Sequence, residues 1–107
     1  MKRAFNVQEP YFSSIKEGKK TVEGRLNKGK FADMQLGDTA VINDVVEVEI
    51  VRTRTYDSFR DMIQNEGIEK VIPGAHSLED AINVYYKFYT REQEKKYGVR
   101  AIEIKLI

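Results

Sequence analysis

Apolar and polar residues alternate most strictly in two stretches of the chain. Val46, Val48 and Ile50 alternate with Glu47 and Glu49, and Ile102, Ile104 and Leu106 alternate with Glu103 and Lys105. A period of two gives a strand one dry and one wet face, so strands are predicted over 45–56 and 98–107. Shorter strands are predicted over 2–7, 21–26 and 39–42, with Asn43-Asp44 as a hairpin connection. In the second of these Val22 and Leu26 point inward, which places Thr21, Glu23 and Arg25 together on the opposite face. Gly24 leaves that strand without a side chain, a mark of a bend or of a close approach by another group. Uninterrupted alternation would carry Arg52 and Arg54 onto the dry side of the long strand. A bulge that resets the register, or a run into a polar opening, accounts for them equally well.

The period changes to that of a helix in three places. Glu9-Pro10 opens a helical turn through Tyr11, Phe12 and Ile15 that Gly18 can stop. Asp57 or Ser58 can cap a helix carrying Phe59, Met62 and Ile63. Past the Pro73-Gly74 break, Ser77 can cap another, in which Leu78, Ala81, Ile82, Tyr85 and Tyr89 share one face. The segment 27–30 reads as a polar loop, and Leu36-Gly37-Asp38 as a turn into a strand. The expected architecture is α+β: a mixed barrel of about five to six strands with two to three helices packed on it.

Composition narrows the function classes. The 107 residues have room for one core and one domain, and no linker or repeat divides them. No apolar run approaches the ~20 residues of a membrane span, so a cytoplasmic protein is expected. There is no cysteine and one histidine, His76, so neither a disulfide framework nor a cofactor or metal site is expected. The net charge of +1 lacks the basic excess of a protein that grips duplex nucleic acid through many phosphates. A role with RNA must therefore rest on a local patch or on a pocket for one base.

The stretch Gly18-Lys19-Lys20-Thr21-Val22-Glu23-Gly24-Arg25-Leu26 resembles the G-x-K-x-x-E-x-R hallmark of ASCH domains. Leu36-Gly37-Asp38 resembles the family's element before a strand, and Tyr97 to Ile104 its closing strand. The resemblance implies a PUA-like barrel, a cleft lined by the signature residues, and a role in RNA or modified-nucleoside biology. Some small members of the family deacetylate acetylated cytidine with a lysine, a threonine three residues later and a glutamate from the helical half. Here the lysine falls on Lys20, the threonine position holds Glu23, and Glu66 and Glu69 are the candidates for the glutamate.

Lys20, Glu23 and Arg25 offer a coherent chemistry for such a cleft. Arg25 presents a planar fork suited to a carbonyl or a phosphate. Glu23 can accept from an exocyclic amino group or serve as a general base, and Lys20 can neutralise an anion or act as a base when desolvated. The blander alternative is a surface ion pair between Glu23 and Arg25. Arg52 and Arg54 are further candidates for phosphate contact, against a plain exposed face beyond a bulge. Among the aromatics, Tyr85 and Tyr89 continue the apolar face of their helix and read as core, while Tyr86 lies off it and is the candidate for stacking on a base. Lys28 and Lys30 can guide an RNA backbone, though lysines in a polar loop are more often only solvated. The leading expectation is a module that binds single-stranded RNA or a nucleobase-like small molecule. The alternatives are a hydrolase of modified nucleosides or RNA with Lys20 and Glu23 as its catalytic residues, and a non-catalytic protein adaptor.

Overall fold

The computed structural model describes all 107 residues. Five strands form one sheet: β1 (Lys2–Phe5), β2 (Val22–Leu26), β3 (Thr39–Ile42), β4 (Val46–Tyr56) and β5 (Val99–Leu106). Their order is β1-β3-β4-β5-β2, with β1 parallel to β3 and every other pair antiparallel. Asn43 and Asp44 adopt positive φ of 53° and 58°, and the Val45 N–H donates to the Ile42 carbonyl at 3.0 Å. These residues tolerate the left-handed region best among those with side chains, which is why they can turn this hairpin. Asn43 also clamps Val7, accepting from its N–H at 2.7 Å and donating to its carbonyl at 2.9 Å, so the chain leaving β1 is held in place.

The β4–β5 register resolves the position of Arg52 and Arg54. Ile50 pairs with Ile104, but Arg52 pairs with Glu103, so Val51 is a bulge. The extra residue flips every later side chain of β4 to the other face. Arg52 and Arg54 thereby leave the dry side that Val48 and Ile50 occupy.

Each face of the sheet packs a core of its own. On the concave side Phe5, Ile42, Val48, Ile50, Ile102 and Ile104 close on one another. On the other side Val22, Leu26, Val99 and Ala101 meet Phe59, Met62, Ile63, Ala81, Ile82 and Tyr85. The latter six lie on α3 (Phe59–Glu66) and α5 (Leu78–Tyr86), whose N-termini are capped by Ser58 and Ser77. Four shorter helices complete the chain: α1 (Tyr11–Lys16), α2 (Gly29–Asp33), α4 (Ile68–Val71) and α6 (Arg91–Tyr97). The total of six helical segments exceeds the two to three expected. Those the apolar pattern did not announce, α2, α4 and α6, are four to seven residues long, too short to carry an apolar stripe.

The sheet curls until its two edges face one another. Val22 and Gly24 turn their backbone groups away from β5, since the bond from the Ile104 N–H to the Thr21 carbonyl sets the alternation. Side chains meet these groups: Lys20 donates to the Val22 carbonyl at 2.8 Å, and Glu23 accepts from the Gly24 N–H at 3.0 Å. Across the seam Arg25 donates to the Asn6 carbonyl, and Lys30 to the Ala4 carbonyl at 2.7 Å. The barrel is thus closed by side chains rather than by a ladder.

Gly24 has a steric reason to lack a side chain. A Cβ there would lie 2.7 Å from Met62 Cε, 2.8 Å from its Sδ and 3.0 Å from the Tyr85 hydroxyl oxygen. Met62 is itself fully buried, so it has little room to yield. Gly24→Ala is expected to destabilise the protein by about 1–3 kcal/mol, the usual effect of overpacking. Chemical denaturation checks this; an unchanged midpoint would show that Met62 moves aside freely.

Candidate functional site

A cleft of about 160 Å³ opens where the seam meets the end of α5. Asn6 to Gln8 and Tyr11 form one wall, Val84, Tyr85, Phe88 and Tyr89 the other, and Lys20, Glu23 and Arg25 the polar floor. Glu23 and Arg25 share a face of β2, as alternation requires, and Lys20 reaches the same point from the residues before the strand.

Lys20 is 2% exposed; its ammonium donates to the carbonyls of Val22 and Val71 and forms an ion pair with Glu23 Oε1 at 3.4 Å. Two carbonyls and a carboxylate around one nitrogen favour the protonated amine, since a neutral amine would turn its lone pair on one of them. Burial lowers the Lys20 pKa, and the Glu23 carboxylate offsets part of that shift. Burial pushes the Glu23 carboxyl up, but the Lys20 and Arg25 cations outweigh it and hold the pKa below the ordinary carboxylate value. Arg25 contacts Glu23 Oε2 through Nε at 3.4 Å and Nη2 at 3.2 Å, long bonds that a better donor could replace. Its guanidinium also lies 4.7 Å from the Phe31 ring centre and 5.4 Å from that of Phe5, which keeps it over the seam.

Tyr85 supplies what the helical pattern did not reveal. Its ring stacks on Phe59 at 4.5 Å within the core, as the spacing predicts. Its hydroxyl passes the side-chain-free Gly24 and lines the cleft, where it is buried without a hydrogen-bond partner. Burial, reinforced by the Glu23 charge, pushes its pKa well above the ordinary value, so it remains an O–H donor. The sequence did hold a signal: a glycine inside a buried strand, facing an aromatic helix.

The other candidates from the sequence lie elsewhere. Arg54 makes a two-pronged contact with Glu66, which also accepts from the Tyr56 hydroxyl, and donates to Glu103 at 2.9 Å. Arg52 is exposed and stands 3.6 Å from the same Glu103. This network occupies the face of the sheet opposite Glu23 and Arg25. Glu66 is therefore committed outside the cleft, and Glu69 is exposed on α4. Glu23 is the only carboxylate that lines the cleft. Tyr86 also points away: its hydroxyl donates to Glu94 at 2.6 Å, and Arg91 lies 4.4 Å from its ring centre. Glu94 in turn accepts from the Phe59 N–H at 2.7 Å and ties α6 to the start of α3.

A half-closed barrel whose seam carries a Lys-Glu-Arg floor defines a class, and sequence comparison gives it a family. The ASCH domain matches residues 5–107, and the chain belongs to the ASCH family. Two solved structures are similar over the entire chain. The crystal structure of hypothetical protein PH0355 is 44% identical, with a TM-score of 0.96 and full coverage of both chains. The solution NMR structure of protein PF0455 from Pyrococcus furiosus is 42% identical, with a TM-score of 0.85 over 100% of this chain and 98% of that one. They place the α+β, PUA-like fold beyond the signature residues alone. No curated protein matches the chain. No helix is long and apolar enough to cross a membrane.

Proposed function

We propose that the cleft binds one nucleobase, presented by a nucleoside or by single-stranded RNA. The observation that carries this reading is the Tyr85 hydroxyl, a buried donor without a partner beside the Glu23 carboxylate. An orphaned buried hydroxyl is rare, because each costs about 1–3 kcal/mol of unrecovered hydration. A ligand that accepts from Tyr85 and donates to Glu23 would recover it. Adjacent acceptor and donor atoms are what the polar edge of a pyrimidine offers. Size agrees: a cavity of about 150 Å³ takes a benzene ring, so this one admits a single six-membered ring and leaves the sugar outside. Tyr11, Phe88 and Tyr89 provide flat walls.

Lys20 favours binding over base catalysis, since its ammonium is already held by two backbone carbonyls and paired with the Glu23 carboxylate. Its role in this reading is to keep Glu23 ionised and in place. The deacetylation carried over from family resemblance uses a threonine hydroxyl and a glutamate from the helical half; Glu23 stands at the threonine position, and neither Glu66 nor Glu69 lines the cleft.

The test is an amide NMR titration of the labelled protein with cytidine, uridine and acetylated cytidine, following free acetate in the same tube. Shifts should cluster on residues 20–25 and 84–89. Tyr85→Phe should weaken binding about tenfold, the effect of one lost hydrogen bond, while leaving thermal stability unchanged or slightly higher because no partner is abandoned. Equal affinity in that variant would remove Tyr85 from the site. Acetate release would transfer the case to the hydrolase alternative.

A further inference from the structure

We propose that the ligand is an oligonucleotide strand rather than a free nucleoside, its phosphate held by Lys28 and Lys30 in a second cleft that adjoins the first. This rests on the nucleobase reading of the first cleft and extends it. The second cleft, about 330 Å³, shares Phe88 and Tyr89 with the first and is completed by Lys28, Lys30, Phe31 and Gln93, among others. The two cavities therefore adjoin, with Phe88 and Tyr89 standing between them.

Charge sets the second cleft apart. The chain as a whole is nearly balanced, with 18 Lys and Arg against 17 Asp and Glu. The second cleft nevertheless has two lysines in its lining and no carboxylate. Neither lysine forms an ion pair, so no carboxylate competes for its charge. Lys28 instead lies 4.8 Å from the ring centre of Tyr97, and Lys30 lies 5.6 Å from that of Phe31 while spending one hydrogen on the Ala4 carbonyl. Ammonium groups poised on aromatic rings with hydrogens to spare suit a phosphate oxygen. Phe88, between the two clefts, is 47% exposed despite its size. An aromatic face standing between a base pocket and a phosphate pocket is where the next base of a strand can stack.

The experiment compares cytidine, the dinucleotide cytidylyl-adenosine and inorganic phosphate, each titrated against the intact chain and against Lys28→Ala/Lys30→Gln, whose glutamine amide keeps a donor for the Ala4 carbonyl while removing the charge. The dinucleotide should bind about tenfold tighter than cytidine, the effect of one charge-assisted hydrogen bond. Its affinity should fall with salt at a log–log slope of about −0.7, that of one neutralised phosphate on a single strand. The double variant should lose both the gain and the slope and still bind cytidine as before, which also reports that it is folded. Cytidine and dinucleotide binding equally would overturn this inference and leave the nucleobase reading standing. Inorganic phosphate shifting residues 28–31 as strongly as the dinucleotide would also overturn it, by showing an anion site independent of the strand. Failure of every nucleoside and nucleotide to bind would remove the nucleobase reading and this inference with it.

Discussion

Lys20→Met is expected to lower the free energy of unfolding by about 3–5 kcal/mol, the range for a buried ion pair deprived of one partner. Methionine keeps much of the length and volume of lysine, so the loss would report the charge rather than a cavity. Three groups are abandoned at once: the Val22 and Val71 carbonyls lose their donor, and Glu23 keeps only Arg25 as a neighbouring cation. The Glu23 carboxyl, held down in the native protein by two cations against its burial, should titrate at a higher pH in the variant. Urea denaturation measures the first effect, and a carboxyl-carbon NMR titration the second. A double-mutant cycle with Glu23→Gln should give a combined loss well below the sum of the single ones, because neutral glutamine no longer needs the ammonium. Additive losses would mean that Lys20 supports the seam through its carbonyl contacts alone. The same geometry makes Glu23→Ala a poor probe of ligand binding, since it would leave two cations facing each other in the cleft floor.

On the opposite face, Arg54→Leu is expected to reduce stability by about 3 kcal/mol, the low end of that range because the arginine side chain is 27% exposed. Glu66, only 4% exposed, would keep the Tyr56 hydroxyl and lose its cation. The pH dependence distinguishes this from simple loss of packing. In the native protein burial pushes the Glu66 carboxyl up, but bonds from Arg54 and Tyr56 outweigh it, so its pKa lies below the ordinary value. A depressed folded-state pKa contributes stability that is present above the unfolded pKa and lost as pH falls through the folded one. With Arg54 gone, burial dominates and the folded-state pKa rises above the unfolded one. The sign then reverses, and stability is lost as pH rises through the folded value. The deficit of the variant should therefore be largest at neutral pH and shrink as both proteins are acidified toward pH 4. A deficit independent of pH would show that the network matters only as packing.

The sequence was most legible where its period was strictest. The alternation in β4 and β5 located both strands, and the anomaly of Arg52 and Arg54 left two explanations, a bulge or a polar opening, of which the Val51 bulge is the one the register shows. Glu23 and Arg25 could be placed on one face because strand geometry leaves no other option. The one-face spacing of α5 placed the Tyr85 ring in the core correctly. It could not say where the far end of a long side chain emerges, so Tyr86, the residue off the apolar face, became the candidate, although its hydroxyl is occupied by Glu94. The parallel pairing of β1 with β3 was not legible either, since no local pattern encodes which edge a short strand will find. The helix α6 could have been anticipated: Thr90 and Gln93 form a full capping box, a signature visible in four residues. Its lack of an apolar stripe hid it: the helix is held by the buried carboxylate of Glu94 and by Tyr97 packed against the core.

The side-chain closure of the barrel bears on how copies of this chain behave toward one another. An open sheet normally ends in two rows of unpaired backbone groups, each a template for a strand from another molecule. Here the two rows face each other, and Lys20, Glu23, Arg25 and Lys30 already occupy backbone groups on both sides. With a net charge of only +1, long-range repulsion between copies is weak. Resistance to strand-by-strand self-assembly must then come from the seam itself. The residues that equip the cleft for a ligand also serve as its guard against polymerisation, so variants that empty the cleft floor should be watched for aggregation before they are judged on affinity.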